Sequence, residues 1–440
     1  MKRILVILYY WPPAGGGGVQ RWLKFTKYLP TFGWQPIVYA PENADYPIKD
    51  SALNAQVPED LTVIRHPVVE PRRALKGLRD TASRPQSGGI DQLFYRSLRD
   101  RTLLENMSVW IRGNVFVPDA RVLWVRPSVR FLLRFLRENR VDAIVTTGPP
   151  HSVHLIGRKL KRETDLPWVA DFRDPWTDIE YQDLMMMTGV TSKRHRRMER
   201  SVFEESDCVV GVSPYWEGRF KELGARRVVT ITNGFDPDDF ADVSVTPSES
   251  FVISHVGTLA LDRDPTILWK ALSECCKEDA SFARDLRVEL VGKTDPKVVE
   301  NAGSYGLSEC VVDRGYVGHE EAILTMKRAQ VLLLLVNRAA RNAPGRMPGK
   351  MFEYLAAGRP ILLIGPTDGD AAETIRACQA GASVDFDDID SMKRQLKAFY
   401  ERYRAGDLTV SPSNYERFTR RNLAGRLAAL LEEVVDSRAS

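Results

Sequence analysis

Cysteine is scarce in this chain, and the few cysteines form no recognisable pattern. The 440 residues contain five, at positions 208, 275, 276, 310 and 378, with no Cys-x-x-Cys spacing. An odd, scattered set argues against a disulfide framework, and the missing spacing argues against a zinc site. Free thiols are typical of a reducing compartment, so the sequence predicts a cytoplasmic location.

Long apolar runs are also missing. No stretch approaches the roughly 18 consecutive apolar residues of a membrane-spanning helix, so none is expected to cross a bilayer. Lys2 and Arg3 precede a short apolar run, as in a signal sequence, but prolines and glycines fill positions 12–18, where a cleavage site would be expected. We therefore interpret the N-terminus as a first β-strand that leads into a glycine loop.

The formal net charge is only +4, but it is unevenly distributed. Residues 65–140 contain sixteen Lys or Arg and seven Asp or Glu, and apolar residues interleave with these cations at 93–96, 110–112 and 131–137. This pattern favours either an amphipathic face that rests on an anionic membrane or an ordinary solvated helical face. Nucleic acid is not an expected partner, because no nucleic-acid-binding module is recognisable.

Short apolar runs alternate with helical patterns, which is typical of βα units that build parallel sheets. The length favours two domains, and residues 236–250, rich in Asp, Ser and Pro, suit a linker. We predict an α/β protein with two Rossmann-like, doubly wound domains, 1–236 and 237–412, and a C-terminal helix, 413–440, that packs back toward the first domain. The predicted strands are 4–10, 36–39, 63–65, 143–147, 168–170, 208–212, 228–232, 251–256, 287–291, 311–313, 331–336, 361–364 and 382–384.

Ligands of open parallel sheets bind beyond the carboxyl ends of the strands. After the first strand, Gly15 to Gly18 allow a backbone to approach a phosphate or sugar closely, with Gly16 and Gly17 as candidate contacts. A dinucleotide-binding G-x-G-x-x-G motif is not formed, because Gln20 occupies the third glycine position. NAD is therefore not an expected cofactor.

Polar residues also follow two later strands. His151 comes after the fourth strand, and Asp171, Arg173 and Asp174 come at the end of the fifth. Such groups at adjacent strand ends can bind and orient a sugar hydroxyl. We predict His151 and Asp171 as catalytic groups and Arg173 and Asp174 as acceptor contacts, with loop capping as the alternative role of His151.

Residues 346–360 read as a helix with a cationic start. Arg346 and Lys350 flank Pro348-Gly349, whose turn chemistry is expected to leave backbone N–H groups free, and Glu353 is the one acidic residue. Such a start suits a nucleoside diphosphate. The alternative is an ordinary core helix with a surface glutamate.

A second cationic edge is expected at Gly257, Thr258 and Arg263. No metal or other cofactor is expected, because arginine and lysine can neutralise a leaving diphosphate. The segment 319–321, His-Glu-Glu, lacks the second histidine of a zinc-protease motif, and 236–238, Asp-Pro-Asp, has no convincing metal context.

Four segments carry a resemblance to a known family: Asn233-Gly-Phe-Asp236, His255-Val-Gly-Thr-Leu259, Gly315-Tyr-Val-Gly318 and Gly349-Lys-Met-Phe-Glu-Tyr-Leu-Ala-Ala-Gly358. Together with the N-terminal glycine loop, they resemble family 4 retaining glycosyltransferases of the GT-B fold, and the likeness covers nearly the whole chain. It implies two Rossmann-like domains that face each other across a cleft. The C-terminal domain would bind a nucleotide sugar, the N-terminal domain the acceptor, and no metal would be required.

The resemblance also implies roles for single residues. Glu353 would hold the nucleotide ribose hydroxyls, and Tyr316 and Val317 would lie against the base. The family's diphosphate-binding Arg and Lys fall at Thr258 and Arg263, so the first cation is replaced and Arg346 or Lys350 takes its place. The family's second Glu, eight positions before Glu353, is Gly345 here.

The predicted function is transfer of a sugar from a nucleotide sugar to an acceptor hydroxyl, with retention of anomeric configuration. A glycan or lipid-linked acceptor at the inner face of the cell membrane, in cell-surface polysaccharide synthesis, is the expected setting, and a soluble acceptor is the alternative. Two other functions stay open. One is a nucleotide-sugar epimerase or hydrolase of the same fold, and the other is a catalytically degenerate binding protein.

Overall fold

The computed structural model describes residues 1–68, 102–179, 184–241, 243, 245–338 and 341–438. The chain forms two compact units. Unit 1 consists of residues 1–232 and 423–440, and unit 2 consists of residues 233–422. All five cysteines are free thiols. Among the helices in the described ranges, none has both the length and the apolar character needed to cross a membrane.

Unit 1 is built on a parallel sheet of seven strands in the order β3-β2-β1-β4-β5-β6-β7. Because β2 and β4 lie on opposite sides of β1, the chain changes direction at β1, which is where ligands of such sheets bind. Its elements in chain order are β1 (Lys2–Ile7), α1 (Gly17–Tyr28), β2 (Trp34–Pro41), β3 (Thr62–His66), α2 (Leu103–Asn114), α3 (Val122–Glu138), β4 (Ala143–Gly148), α4 (Ser152–Thr164), β5 (Trp168–Phe172), α5 (Gly189–Glu205), β6 (Cys208–Gly211), α6 (Pro214–Glu222) and β7 (Val228–Thr230).

Unit 2 has a parallel sheet of six strands in the order β10-β9-β8-β11-β12-β13, which changes direction at β8. Its elements are β8 (Phe251–Val256), α7 (Thr266–Glu278), α8 (Ala280–Asp285), β9 (Leu286–Val291), α9 (Pro296–Ser304), β10 (Val311–Gly315), α10 (His319–Arg328), β11 (Val331–Leu335), α11 (Lys350–Ala357), β12 (Ile361–Ile364), α12 (Asp370–Ala377), β13 (Gly381–Val384) and α13 (Ile389–Arg404). Helix α14 (Arg420–Asp436) follows.

The central strand β11 shows why these segments form buried parallel strands. Val331, Leu333 and Leu335 belong to the hydrophobic core on one face of the unit 2 sheet, and Leu332 and Leu334 belong to the core on the other. A strand covered on both faces reads as a continuous apolar run. All thirteen predicted strands are present, and the predicted fold class is confirmed.

The predicted end of the first strand is wrong. The strand was expected to reach Tyr10, but β1 ends at Ile7. The Leu8 amide still donates to the Tyr39 carbonyl at 3.1 Å, and the Ala14 amide then donates back to the Trp11 carbonyl at 2.9 Å. Two prolines between these residues lack the amide that a ladder needs, so the chain turns.

The boundary after residue 236 also differs from the structure, in which unit 2 begins at Asn233. The proposed linker packs on unit 2, because the Lys327 ammonium donates to the carbonyls of Phe240 and Val243 at 3.1 and 2.6 Å. At the other end, the Arg420 amide donates to the Phe235 carbonyl within unit 2. The chain returns to unit 1 at Leu423, ten residues later than the predicted start of the C-terminal segment at 413.

Helix α14 is held in unit 1 by apolar and charged contacts. Leu423, Leu427 and Leu431 are buried in the unit 1 core. After the helix, the Arg438 guanidinium pairs with Asp165 at 2.6 Å and with Asp207 at 2.8 Å. The last part of the chain is therefore integral to the first unit.

Candidate functional site

In unit 2, glycines follow or end three neighbouring strands: Gly257 after β8, Gly292 after β9 and Gly315 at the end of β10. The Gly257 amide donates to the Val291 carbonyl and the Gly292 amide to the Gly315 carbonyl, both at 2.7 Å. Gly292 has a φ of 129°, and a Cβ there would lie 2.2 Å from the Gly257 carbonyl oxygen. This close packing fixes the loop that carries Thr258, whose side chain is exposed.

Helix α11 is anchored to the same edge of the sheet. The Tyr354 hydroxyl accepts from the Val256 amide at 2.8 Å and donates to the Leu333 carbonyl at 3.4 Å. Met351, Phe352 and Leu355 are buried. The tyrosine therefore ties the helix to the end of β8 and to the middle of β11.

The start of α11 differs in detail from the prediction of free amides. Gly349 is exposed and already helical, with φ −56° and ψ −36°. The Met351 amide donates to the Pro348 carbonyl at 2.9 Å and the Phe352 amide to the Gly349 carbonyl at 3.3 Å, so these two amides are used within the turn.

Glu353 lies between two cationic or potentially cationic groups. The Lys350 ammonium pairs with its carboxylate at 2.6 Å, and both side chains are partly exposed. His319, at the start of α10, donates to the Asp239 carboxylate at 3.2 Å. This hydrogen bond, reinforced by the charge of Glu353, raises the pKa of His319.

His255 brings Arg263 and Lys350 into one neighbourhood. Its ring is buried, and Nδ1 lies 3.1 Å from the Leu333 carbonyl, so that Nδ1 carries the proton. Burial, with smaller contributions from the charges of Arg263 and Lys350, lowers its pKa to about 4. A neutral His255 therefore stands at the end of β8 with two cations nearby. Sequence reasoning gave His255 no role, although it opens one of the family-like segments.

The remaining predicted groups of unit 2 lie in loops. Arg263 ends a short 3₁₀ turn, 3.7 Å from the Asp262 carboxylate and about one-third exposed. Arg346 donates to the Asn342 side chain at 3.3 Å. Gly345 is buried, and its amide donates to the Asn342 carbonyl at 3.0 Å, so a backbone turn occupies the position of the family's second Glu.

Tyr316 and Val317 differ in exposure. Tyr316 is 83% exposed, which leaves a whole aromatic face available, and Val317 is half-buried against the unit 2 core. Both follow β10, at the edge that also carries Gly257 and Thr258.

In unit 1, the Asp171 prediction needs correction. Its carboxylate is 2% exposed and accepts from the Arg21 guanidinium at 3.0 and 3.2 Å and from the Trp22 indole at 2.8 Å. Arg21 also donates to the carbonyls of Ile231 and Thr232 at 2.9 and 2.7 Å. These contacts make Asp171 an internal anchor between β5, α1 and residues 231–232, which end the first segment of unit 1, and the carboxylate is shielded from solvent.

Arg173 likewise has a structural position in place of the predicted acceptor contact. Its guanidinium donates to the carbonyls of Gly18, Gly148 and Pro149. A Cβ on Gly18 would lie 2.5 Å from this guanidinium. Arg173 therefore joins the glycine loop to the end of β4.

The predicted glycine contacts lie in the same loop. Gly16 has a φ of 91° and precedes α1, and Gly17 is exposed, where an added Cβ would meet no atom within 4 Å. Asp174 is half-buried, and within the described ranges no hydrogen bond or ion pair engages its carboxylate. Of the four predicted unit 1 side chains, Asp174 is thus the carboxylate that remains available to a ligand.

His151 is buried in an aromatic stack. It is 5% exposed, its ring lies parallel to that of Trp176, and neither ring nitrogen has a hydrogen-bond partner in the described part of the chain. Burial, with smaller electrostatic contributions from His154 and Arg173, lowers the pKa of His151 well below its usual value, and the Pro175 backbone raises this pKa only weakly. The ring is therefore neutral and can accept or donate one hydrogen bond. It precedes α4, but its side chain does not cap the helix.

His154 packs in the same aromatic cluster. Its Nδ1 is hydrogen-bonded to the Thr146 hydroxyl at 2.8 Å, and its ring stacks on Phe172 with centroids 4.3 Å apart. Burial lowers its pKa to about 3.

Two residues of α5 that sequence reasoning missed hold the loop beside His151. The Trp176 indole donates to His195 Nδ1 at 3.0 Å, and the Thr177 amide and hydroxyl both donate to the Glu199 carboxylate, the amide at 3.0 Å. His195 and Glu199 are each 2% exposed. Their i,i+4 spacing was readable, but α5 is so rich in charge that nothing distinguished them.

Just under half of the sequence matches a known family. Residues 16–234 match the family described as a glycosyl transferase 4-like domain. These residues form a glycosyltransferase domain of that family. A comparison with curated protein sequences found no match.

Solved structures extend the likeness to the whole chain. Sucrose-phosphate synthase from Thermosynechococcus elongatus has 15% identity and a TM-score of 0.64, covering 99% of this chain and 100% of that one. HepE from Anabaena, in complex with UDP-glucose, has 14% identity and a TM-score of 0.54, covering 99% and 98%. WaaG, a glycosyltransferase involved in lipopolysaccharide biosynthesis, has 13% identity and a TM-score of 0.53, covering 98% and 99%. Identities this low show the fold, so the chain has the two-domain architecture of GT-B glycosyltransferases, and the predicted resemblance is confirmed.

Proposed function

We propose that this protein is a retaining hexosyltransferase that moves a sugar from a nucleoside-diphosphate donor to a hydroxyl of a glycan or lipid-linked acceptor. The observation that carries this proposal is that Arg263 and Lys350 both lie near the neutral His255 at the end of β8, with Glu353 paired to Lys350 at 2.6 Å. The solved HepE complex with UDP-glucose supports a nucleotide sugar as the donor.

Unit 2 would bind the donor. Glu353 would accept hydrogen bonds from the ribose hydroxyls, and the exposed Tyr316 ring with Val317 would lie against the base. Lys350, now paired with Glu353, would then turn to the diphosphate together with Arg263 and Arg346. Preorganised cations stabilise the charge that develops on the leaving phosphate more than they stabilise the ground state, which accelerates the reaction.

Unit 1 would bind the sugar and acceptor hydroxyls. A neutral His151 in an apolar stack can form one strong hydrogen bond with a hydroxyl, and the Asp174 carboxylate can accept another. The glycine loop at Gly16 and Gly17 leaves room for a close approach of the ligand. Asp171 and Arg173 would contribute by holding this loop in place.

Two further parts of the proposal concern setting and cofactors. The proposed role in cell-surface polysaccharide synthesis is supported by the likeness to WaaG, a glycosyltransferase involved in lipopolysaccharide biosynthesis, and we expect this role at the inner face of the membrane. We expect turnover without a divalent metal, because Arg263 and Lys350 can neutralise the diphosphate. Undiminished transfer in excess EDTA would agree with this, and loss of transfer that Mg²⁺ or Mn²⁺ restores would contradict it.

The decisive experiment combines a donor screen with transfer assays. A thermal-shift screen of nucleotide sugars identifies the donor, because a ligand that binds the folded state raises the melting temperature. With that donor, Arg263→Ala and Lys350→Ala should each lower kcat by about 100-fold, the usual effect of removing one charge-stabilising donor. Arg394→Ala, an exposed cation on α13, is the matched control and should leave kcat unchanged.

The same assays separate the alternatives. Release of sugar from the donor without any acceptor, at the full wild-type rate, would indicate a hydrolase, and interconversion of donor sugars would indicate an epimerase. Tight nucleotide binding with no turnover on any acceptor would identify a binding protein, as the buried turn at Gly345 would allow. Wild-type turnover in both Arg263→Ala and Lys350→Ala would refute the proposed site.

A further inference from the structure

Helix α2 exposes a row of apolar side chains to solvent. Leu103, Met107, Trp110 and Ile111 are spaced i, i+4, i+7 and i+8 and are 88, 53, 43 and 39% exposed, whereas Val109 is fully buried. Helices of globular proteins normally place their apolar stripe toward the core. This helix presents apolar side chains on its exposed side as well.

The exposed row is held in a fixed position. The Asn114 side chain at the end of α2 donates to the Met186 carbonyl at 3.1 Å and accepts from the Thr188 amide at 2.8 Å. The Thr102 and Glu105 side chains cap the start of the helix reciprocally. Met186 itself is 39% exposed, so it adds to the apolar surface beside the helix end.

The next helix carries a row of cations. Arg126, Arg130, Arg134 and Arg137 are spaced i, i+4, i+8 and i+11 along α3, and all four are at least partly exposed. Within the described ranges, none of them forms an ion pair. Like charges at i,i+4 destabilise a helix, so the row gains from an anionic partner.

A shallow groove widens this cationic face toward α4. The groove measures about 340 Å³ and is lined by four cations, one apolar residue and one acidic residue: Arg126, Arg130, Lys159, Arg162, Val129 and Glu163. Arg162 is paired with Glu205. Two arginines and a lysine thus face the groove without a paired acid in the described part of the chain.

We propose that α2 and α3 together form a docking surface for an anionic bilayer, in which the arginine row binds lipid phosphates and the apolar row of α2 enters the headgroup region. The helices are joined by residues 115–121, and Val115 and Leu123, at the two ends of this connection, are 57% and 46% exposed. A soluble polyanion would account for α3 alone, and a protein partner would account for α2 alone. An anionic membrane surface accounts for both.

This inference deepens the membrane-linked acceptor of the proposed function, but its test does not depend on transfer. The full-length protein is floated with vesicles of phosphatidylglycerol and phosphatidylcholine, or of phosphatidylcholine alone, at low and high salt. Binding should require the anionic lipid and should weaken at high salt, because salt screens the attraction between the arginines and the lipid phosphates. Equal flotation with both lipids, or none with the anionic one, would overturn the proposal.

Charge reversal identifies the surface. Arg130→Glu/Arg134→Glu should lower partitioning onto anionic vesicles at least tenfold, because each cation near such a surface contributes independently. The control Arg226→Glu/Arg394→Glu makes the same change in net charge at positions on other helices or loops and should float like the wild type. If both double variants lost vesicle binding to the same extent, net charge rather than this surface would drive binding. Both pairs should keep wild-type turnover on a soluble acceptor, so a failed flotation leaves the proposed function standing.

Trp110 is a built-in reporter of insertion. The chain has nine tryptophans, all in the described ranges, and Trp110 is the exposed one while the other eight are at most 4% exposed. Vesicles of brominated anionic lipid should quench part of the emission of the wild type and none of the emission of Trp110→Gln. Absence of quenching in the wild type would refute insertion of the α2 row.

Light scattering tests whether a second copy of the protein covers this row instead. That alternative predicts a wild-type dimer that Met107→Gln/Trp110→Gln converts to a monomer.

Discussion

His151 stacks on Trp176 with ring centroids 5.2 Å apart and ring planes only 6° apart. The stack holds a buried imidazole whose two nitrogens are unbonded in the described part of the chain, and α5 fixes the tryptophan from the other side through His195. A buried polar group without a partner lowers stability, so this arrangement is expected at a position kept for a ligand. The stack therefore links packing in unit 1 to the proposed chemistry.

We expect His151→Phe to separate stability from activity. Phenylalanine can keep the stack on Trp176 while removing two unbonded nitrogens, so the free energy of unfolding should rise by about 1–3 kcal/mol. Transfer should fall by at least tenfold, because phenylalanine cannot make the proposed hydrogen bond to the sugar. Urea denaturation and steady-state kinetics measure the two effects.

His154→Phe is the matched comparison for that variant. It removes the existing hydrogen bond between His154 and Thr146, so the free energy of unfolding should fall by about 1 kcal/mol. If His151→Phe destabilised the protein as much as His154→Phe does, the ring of His151 would be an ordinary core group.

The Arg21–Asp171 pair should behave as a structural element. Asp171→Asn should lower the unfolding free energy by about 3–5 kcal/mol, because it leaves a buried guanidinium without its charge partner. Arg21→Met/Asp171→Leu, which removes both charges, should regain most of that loss in urea denaturation. A catalytic Asp171 predicts the opposite pattern, with full stability in Asp171→Asn and loss of turnover alone.

Glu199 should make stability depend on pH. Burial raises its pKa from 4.5 to about 7, so the folded state holds a proton that the unfolded state has released. Stability from this residue is therefore present below about pH 4.5 and is lost as the pH rises to about 7. Relative to the wild type, Glu199→Gln should be similar in stability at pH 4.5 and more stable by up to about 3 kcal/mol at pH 8.

Urea denaturation of both proteins at pH 4.5, 6, 7 and 8 measures this difference. The difference, rather than either curve alone, isolates Glu199 from the other titrating groups. A difference that does not change with pH would show that Glu199 has the same pKa in the folded and unfolded protein.

Glu353→Gln should affect the nucleotide more than the fold. The Lys350–Glu353 pair is partly exposed, so its loss should change the unfolding free energy by no more than about 1 kcal/mol. Donor affinity should fall about tenfold or more in calorimetric titration, because a carboxylate accepts two ribose hydroxyls better than an amide does. Glu300→Gln, an exposed glutamate of α9, is the control and should bind the donor as the wild type does.

The sheet framework could be predicted because its strands are covered on both faces. Segments such as 331–336 and 361–364 contain little besides aliphatic residues, and nothing but a buried strand of that length accommodates them. The end of β1 was misjudged because Leu8, Tyr9 and Trp11 are apolar and buried without being in the strand. Burial in a loop and burial in a strand look alike in the sequence.

The site was only partly predictable, for a different reason. Glu353 and Lys350 lie three residues apart on one helix, so local spacing revealed their relation. Arg21 and Asp171 are separated by 150 residues, and their contact depends on β5 being two strands away from β1 in the sheet. Arg173 looked like a free cation, but its three carbonyl partners exist only once the ends of β4 and the glycine loop meet. Residue type suggested what these side chains can do, and topology decided what they are used for.

Helix α14 gives the chain an unusual order of assembly. The sheet of unit 1 is synthesised before unit 2, but its core lacks Leu423, Leu427 and Leu431 until the segment that follows unit 2 leaves the ribosome. Unit 2, by contrast, is one uninterrupted segment, so all of its residues have emerged while unit 1 still waits for its last helix. During translation, unit 2 is thus complete before unit 1 has its last helix. Unit 2 therefore has the opportunity to fold before unit 1 does.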